Sequence, residues 1–182
     1  MNIIVAITGA SGAIYARQCL EMLISHPNVQ RIGLILSDNA AEVIATEGIT
    51  LPHSERITRY NNDDMWASVA SGSAGWNAMV VVPASMGTVG RVASGISRTL
   101  IERAADVMLK ERRRLVMVVR ESPYSLIHLR NMTTLTEAGA IIVPASPSFY
   151  FCPADIESLC MTISTRALEM AGLEICHPTW GE

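Results

Sequence analysis

The chain has 182 residues, which suits one domain of ordinary size, so we expect residues 1–182 to form a single domain. Apolar residues make up 49% of the chain and charged residues 17%, a composition that excludes a disordered protein. The 14 basic and 17 acidic residues give a net charge of −3, which excludes the usual basic type of nucleic-acid-binding protein. No apolar run reaches the roughly 20 residues of a membrane span, so we expect the surplus apolar surface to join subunits of a homo-oligomer.

Cysteine and histidine usage indicates the compartment. The four cysteines contain no C-x-x-C pair and the four histidines have no zinc-type spacing, so we expect reduced thiols, a cytoplasmic protein and no metal site. The apolar run from Ile3 to Ile7 has no basic segment before it and leads directly into a turn. We therefore do not expect an export signal.

Strand-like apolar runs alternate with amphipathic helical stretches along the chain. The pattern predicts strands at Asn2–Thr8, Arg31–Ser37, Ala78–Pro83, Arg114–Arg120 and Ala140–Val143. It predicts helices at Ser11–Ser25, from a cap at Asp38-Asn39 to about Thr46, and at Thr99–Glu111, Tyr124–Ala138 and Asp155–Ala171, while residues 48–75 are polar and rich in turns. Because the strands are apolar throughout, we expect a parallel sheet covered on both faces, hence a Rossmann-like or flavodoxin-like α/β three-layer sandwich.

In such sheets, ligands bind beyond the carboxyl ends of the strands. The first strand ends in Thr8-Gly9-Ala10-Ser11-Gly12, a small-residue turn into a helix whose N–H groups suit an anion. Its spacing is not that of a dinucleotide fingerprint, and the second strand ends in Ser37 rather than in an acidic residue. A bound phosphate therefore fits this turn better than a dinucleotide does. A turn that only connects the strand to the helix and binds no ligand fits the sequence equally well.

Two further strand ends carry polar groups. Ser85 and Thr88 follow the third strand at a predicted helix start, where Ser85 would also serve as a helix cap. The pair Arg120-Glu121 directly follows Leu115–Val119. Opposite charges side by side at this edge suit phosphate binding and proton transfer, and the alternative is a strand-end ion pair.

Other candidates lie on helices and loops. Lys110, the only lysine, is seven residues after Arg103 and so on the same helix face. Glu47 closes the second helix, where a carboxylate opposes the helix dipole; such a residue either marks a site or is simply solvated. The loop Pro147-Ser148-Phe149-Tyr150 and the residues Trp66 and Trp180 predict a ring-lined pocket for a flat or cationic group, although loop aromatics more often pack.

Several stretches together resemble one family, the UbiX/Pad-type flavin prenyltransferases of the homo-oligomeric flavin-containing cysteine decarboxylase superfamily. In chain order they are ITGASGAIY, ATEG, ASGSAGWNAMVVVPASMGT, LIERAADVMLKERR, VVRESPYSLIHLRNM, PASPSFY and PTWGE. The run LIERAADVMLKERR followed by VVRES is the most specific of them. The stretches cover nearly the whole chain in the family's order.

The resemblance implies a Rossmann-like subunit in a homododecamer with sites at subunit boundaries. It implies metal-independent transfer of a dimethylallyl group from dimethylallyl phosphate to N5 and C6 of reduced FMN, and prenylated FMN as a product that serves a separate decarboxylase. The FMN contacts implied by matched position are Gly9, Ala10, Ser11, Ser37, Ser85, Met86, Gly87, Thr88 and Arg120. The implied substrate contacts are Lys110, Arg120, Glu121, Tyr150, Arg166 and Trp180, with Trp66 as a further candidate. The implied catalytic groups are Ser11, Glu47, Lys110 and Glu121.

Two other functions fit the same superfamily. An FMN-dependent cysteine decarboxylase would carry a catalytic histidine early in the chain and a P-A-S-A-N-T segment, whereas this chain has Met86-Gly87 within its P-A-S-M-G-T segment. A non-catalytic flavin carrier would have lost the basic cluster, which is intact here. The chain departs from the resemblance at Phe151-Cys152, where many relatives have a histidine after the tyrosine, and this change affects either substrate choice or loop packing.

Overall fold

The polypeptide is built on a parallel β-sheet. The structure, a computed structural model, describes residues 1–176. Its strands are β1 (Asn2–Ile7), β2 (Arg31–Leu36), β3 (Ile57–Tyr60), β4 (Ala78–Ala84), β5 (Arg114–Val119) and β6 (Ile141–Pro144). They pair in the order β3-β2-β1-β4-β5-β6, and every pair is parallel. The chain therefore grows outward in both directions from the central pair β1 and β4, which makes the carboxyl end of that pair a topological switch point.

The apolar runs of the central strands are explained by burial on both faces. Along β1, Ile3, Val5 and Ile7 pack into one core, while Ile4 and Ala6 pack into the other. This alternation follows from the two-residue period of a strand, and it confirms the predicted three-layer sandwich.

Helices cover both faces of the sheet. In residues 1–176 they are α1 (Ala13–Ser25), α2 (Ala40–Thr46), α3 (Met86–Ala93), α4 (Leu100–Lys110), α5 (Leu126–Glu137) and α6 (Ile156–Met170). The helices α1 and α6 contribute to the first core, and α3, α4 and α5 to the second. Side chains of Ser85, Ser125 and Asp155 accept hydrogen bonds from the backbone at the starts of α3, α5 and α6. None of the helices in this part of the chain is both long and apolar enough to cross a bilayer.

The structure corrects two predictions of local structure. Residues 48–75, predicted to be turn-rich, contain the edge strand β3 and two short 3-10 turns, Ser68–Ala70 and Gly72–Ala74. The strand escapes detection because it is four residues long and half exposed. Asn39 precedes α2 but makes no side-chain cap, because its backbone is already helical, with φ −84° and ψ −8°.

Several large apolar side chains are exposed, and two groups of them form surface features. The first, here called the α5 patch, comprises Leu126, Ile127 and Leu129 on the outer side of α5. The second is a groove of about 1090 Å³ between α6 and the loop that follows β6, here called the α6 groove, which Tyr150, Phe151 and Met161 help to line. Exposed apolar patches of this kind indicate surfaces that another molecule covers.

Candidate active site

The turn after β1 and the start of α3 are tied together at the switch point. The buried Thr8 hydroxyl donates a hydrogen bond to the Pro83 carbonyl over 2.7 Å and accepts one from the Ser85 N–H over 2.8 Å. These bonds place the two hydroxyl-bearing strand ends side by side. From the sequence, Thr8 was predicted only as a strand end; the available signal for its role was a hydroxyl at the carboxyl end of a central strand.

Glu47 reaches across from α2 to the first turn of α1. Its carboxylate accepts hydrogen bonds from the N–H groups of Gly12 over 2.8 Å and of Ala13 over 2.7 Å. The predicted anion at this helix N-terminus is therefore the protein's own carboxylate, which occupies two of the N–H groups that we expected to hold a phosphate. The unfavourable position of Glu47 at the end of α2 is offset by the favourable dipole of α1.

The surroundings of Glu47 keep it ionised. Burial raises the pKa of its carboxyl, but the Ser11 hydroxyl, the two backbone N–H groups and the positive charge of Arg120 together lower the pKa below its usual range. Ser11, Glu47 and Arg120, which belong to different parts of the sequence, thus interact at one edge of the sheet. Their role as the groups nearest the reactive ligand stays a prediction.

Arg120 presents an unused donor at the same edge. Its backbone N–H donates to the Ala84 carbonyl over 3.3 Å, which fixes the start of its side chain beside β4. Its Nε is buried and has no hydrogen-bond partner within residues 1–176. A buried guanidinium N–H without an acceptor is costly, so the site fits a ligand that supplies an oxygen acceptor, as FMN does.

The other residues expected to contact FMN surround this edge. The Ser37 N–H donates to the Ile7 carbonyl over 2.9 Å, which places Ser37 next to the end of β1. Gly9 packs so closely against Asn39 that a Cβ at this position would lie 2.8 Å from the Asn39 Cβ. Ala10 lies in the same turn, and Met86 and Gly87 form the first turn of α3. Their contacts with a flavin stay predictions.

The predicted hydroxyl pair is held at the start of α3. Ser85 Oγ and Thr88 Oγ1 are 3.1 Å apart, and Ser85 Oγ accepts the Thr88 N–H over 3.4 Å. Ser85 is therefore a helix cap, as the sequence suggested. Arg91 donates to Thr88 Oγ1 over 3.3 Å and also pairs with Glu102, which is 1% exposed. Neither Arg91 nor Glu102 was a candidate from the sequence.

The environment of Glu102 is expected to make the stability of the folded protein sensitive to acid. Burial raises the pKa of its carboxyl, but Arg91 and the N–H groups of Thr99 and Arg98 lower the pKa below its usual range. A carboxyl with a lowered pKa in the folded state stabilises the protein above the unfolded-state value of about 4.3, and this contribution disappears as the pH falls to the folded-state value. We expect Glu102→Gln to reduce the difference between the urea midpoints at pH 7 and at pH 4. An unchanged difference would contradict this role.

Lys110 lies near the amino ends of the strands, opposite Arg120, which lies at their carboxyl ends. It ends α4 just before β5 begins, whereas Arg120 follows the end of β5, and the six residues of this strand span roughly 20 Å. Lys110 pairs with Glu111. A single chain therefore does not bring the predicted cluster together, and the contribution of neighbouring subunits to it stays a prediction.

Tyr150 and Arg166 share the α6 groove. Tyr150 is 70% exposed on the loop after β6, and Arg166 lies on α6, where it pairs with Glu169 over 3.1 Å. Glu121 stands beside Arg120 and accepts the Ser122 N–H over 3.0 Å.

The chain departs from the resemblance at Phe151-Cys152, and these residues form a turn. Cys152 has a positive φ of 48°, and its backbone N–H donates to the Phe149 carbonyl. It therefore shapes the loop that carries Tyr150.

The tryptophans differ sharply in exposure. Trp66 is 98% exposed, whereas Trp76 is fully buried, with the Arg31 guanidinium 4.2 Å from its ring centroid. Trp76 is therefore part of the core. Trp66 remains available for contact with another molecule, and Trp180 lies outside the described residues.

Known proteins match this chain over almost its full length. The Flavoprotein family model matches residues 1–168. The flavin prenyltransferase UbiX of Thermoplasma acidophilum is 44% identical over 176 residues, which cover 95% of this chain and 96% of the relative. The structure of AnUbiX in complex with FMN and dimethylallyl pyrophosphate has a TM-score of 0.89, is 40% identical and covers 98% of each chain.

A second solved structure agrees with these matches. The dodecameric FMN-dependent UbiX-like decarboxylase from Escherichia coli O157:H7 has a TM-score of 0.91, is 37% identical and covers 100% of each chain. Identity of this level over complete chains, together with the same fold, is far above what a shared fold alone produces. The chain therefore belongs to the UbiX family of flavin prenyltransferases.

Proposed function

We propose that this chain is a flavin prenyltransferase that transfers a dimethylallyl group from dimethylallyl phosphate to N5 and C6 of reduced FMN. The observation that carries this proposal is the set of groups at the switch point: the ionised Glu47, the Ser85–Thr88 hydroxyl pair and the buried Nε of Arg120, which has no hydrogen-bond partner among the described residues. These groups stand at the edge where a parallel sheet binds its ligand. A relative with the same fold was solved with FMN and a dimethylallyl donor.

The residues proposed to hold FMN are Gly9, Ala10, Ser11, Ser37, Arg120 and the segment from Ser85 to Thr88. Bound reduced FMN supplies the nucleophilic N5 and C6 atoms. Arg120 offers its unused Nε–H to an oxygen acceptor, and the hydroxyls of Ser85 and Thr88 offer further polar contacts. These donors are fixed before the ligand arrives, so little reorganisation is needed on binding.

Departure of the phosphate places negative charge on its oxygens. We assign the stabilisation of this charge to Lys110, Arg120 and Arg166, because fixed cations in a water-poor site lower the energy of a developing anion. Lys110 and Arg120 stand at opposite edges of one chain, so Lys110 of a neighbouring subunit is the one that reaches the site. Heterologous contacts of this type join different edges of identical subunits into closed rings.

The allylic fragment carries positive charge as the phosphate leaves. The ring faces of Tyr150 and Trp180 are proposed to stabilise it by cation–π attraction. The negative charge of Glu47, whose pKa lies below the usual range, acts in the same direction. Such a transfer would remove the protons of N5 and C6, add one proton to the alkene of the prenyl group and leave one on the released phosphate. Glu47, Glu121 and the released phosphate are the candidate proton acceptors.

The proposed assembly is a homododecamer in the cytoplasm, which passes its prenylated FMN to a separate decarboxylase. The α5 patch, the α6 groove and the exposed Trp66 are the surfaces expected to be covered in this assembly. The support is that these apolar surfaces are larger than isolated exposed side chains and that a relative is dodecameric.

The test is the mass of the flavin. Purified protein is mixed anaerobically with FMN, a reductant and either dimethylallyl phosphate or its diphosphate, and the released flavin is weighed by mass spectrometry. We expect the flavin to gain one five-carbon unit with the monophosphate. A flavin of unchanged mass with both donors would refute the proposal, and decarboxylation of a thiol peptide in a parallel reaction would support the cysteine decarboxylase alternative.

A further inference from the structure

Arg91 joins a buried carboxylate to the hydroxyl pair at the start of α3. Its Nη2 donates to Thr88 Oγ1 over 3.3 Å, and its Nε donates to Glu102. Glu102 also accepts the N–H groups of Arg98 over 2.8 Å and of Thr99 over 3.0 Å. The carboxylate that orients Arg91 is therefore itself fixed at the start of α4.

The hydrogen bonds of the Ser85–Thr88 pair can be counted. A hydroxyl has one proton and two lone pairs, and a guanidinium can only donate. Thr88 Oγ1 accepts from Arg91, Ser85 Oγ accepts from the Thr88 N–H, and the two hydroxyls share one hydrogen bond. If Thr88 donates within the pair, Ser85 has accepted twice and keeps its proton. If Ser85 donates, Thr88 has accepted twice and keeps its proton.

Both arrangements have the same consequence. The hydroxyl that keeps its proton has both lone pairs occupied, so it can meet a further group only as a donor. In each arrangement the other hydroxyl keeps one free lone pair, so the pair offers one proton and one lone pair. We infer that Arg91, by occupying a lone pair of Thr88 Oγ1, halves the accepting capacity of the Ser85–Thr88 pair and biases it to donate a hydrogen bond to an acceptor atom of the flavin, and that Arg91 is thus a positioning residue for flavin binding. Without Arg91, a second lone pair of the pair is free and the bias towards donation is weaker. The inference rests on the proposed function, which makes Ser85 and Thr88 flavin contacts.

Gly87 makes room for this arrangement. A Cβ at Gly87 would lie 3.2 Å from Arg91 Nη1, a tight contact. The glycine lets the guanidinium lie along the first turn of α3, on its way to Thr88. The Met86-Gly87 pair, which distinguishes this chain from the cysteine decarboxylases, is thereby connected to Arg91.

The test measures FMN affinity by quenching of flavin fluorescence. We expect Arg91→Met to weaken FMN binding about three- to tenfold, the size of one hydrogen bond. The matched control is Arg17→Met, which removes an arginine–glutamate pair between α1 and α6 and should leave the affinity within about twofold. An Arg91→Met protein that binds FMN like the wild type would overturn the inference.

A double-mutant cycle tests whether Arg91 acts through Thr88. A Thr88→Val protein lacks the hydroxyl, so adding Arg91→Met should not weaken FMN binding any further. A Thr88→Ser protein keeps the hydroxyl, so adding Arg91→Met should again weaken FMN binding. An equal loss in the Val and wild-type backgrounds would show a direct effect of charge and refute the inference. The same measurement with riboflavin, which lacks the phosphate, locates the acceptor atom. If Arg91→Met weakens the binding of FMN alone, the acceptor is the phosphate; if it weakens the binding of both flavins equally, the acceptor lies on the ring or the ribityl chain.

These measurements contain no prenyl donor. A wild-type protein that binds FMN without prenylating it would therefore refute the proposed function and leave the role of Arg91 to be decided by the variants. Conversely, normal prenyl transfer combined with an unchanged FMN affinity in Arg91→Met would refute only the role of Arg91.

Discussion

Replacing Lys110 with methionine is expected to lower the rate of prenyl transfer by roughly 100- to 1,000-fold, the typical cost of removing one preorganised stabilising group. Methionine keeps the length and the apolar part of the side chain but has no charge for the departing phosphate. FMN binding should be unchanged, because Lys110 is proposed to contact the phosphate of the prenyl donor and not the flavin. The rate of appearance of prenylated flavin, and FMN affinity measured separately, check both parts.

The matched control for Lys110 is Arg112, an exposed cation two residues away at the same edge of the sheet. Arg112→Met removes the same charge and should change the transfer rate by less than about threefold, since exposed charges act weakly through water. If both variants lose activity equally, the effect comes from the overall positive potential near the amino ends of the strands and not from Lys110 itself. If neither does, Lys110 does not act on the leaving group.

Replacing Gly12 with alanine is expected to lower the free energy of unfolding by about 2–5 kcal/mol. Gly12 has φ +114°, a conformation that strains any side chain, and a Cβ would lie 2.8 Å from Cδ2 of the buried Tyr15 ring. Its N–H also holds the Glu47 carboxylate, so FMN binding should weaken together with stability. Urea unfolding measures the first effect, and flavin fluorescence the second.

Gly48→Ala separates strain from crowding. Gly48 also has a positive φ, of +66°, but a Cβ there meets nothing within 4 Å. This variant should therefore lose only about 1–2 kcal/mol. A Gly12→Ala protein no less stable than Gly48→Ala would show that the Tyr15 ring moves aside at little cost.

The sequence predicted most of the fold because burial and periodicity are local. The β1 run is apolar throughout, and α4 and α6 begin at residues that signal a helix start. The helix α3 was anticipated only at its start, because Gly87 and Gly90 weaken the helical pattern of a segment eight residues long. The edge strand β3 escaped because half-exposed residues give a weak signal.

The candidate site was predictable only in part. The rule that ligands bind at carboxyl strand ends selected Ser11, Ser85 and Arg120. The contact of Glu47 with the start of α1 depends on how two separate elements pack, which no local pattern encodes. The opposite placement of Lys110 was available from the sequence, since Lys110 precedes a strand whose end bears Arg120.

The central claim is that each site combines the carboxyl edge of one chain with Lys110 of another. Its most direct test is complementation: Lys110→Met and Glu47→Gln chains with different tags are co-expressed, and mixed assemblies are purified through both tags. Random assembly of equal amounts gives about one complete site in four, so we expect about a quarter of the wild-type rate of flavin prenylation. Mixed assemblies as inactive as either parent would contradict a site shared between chains.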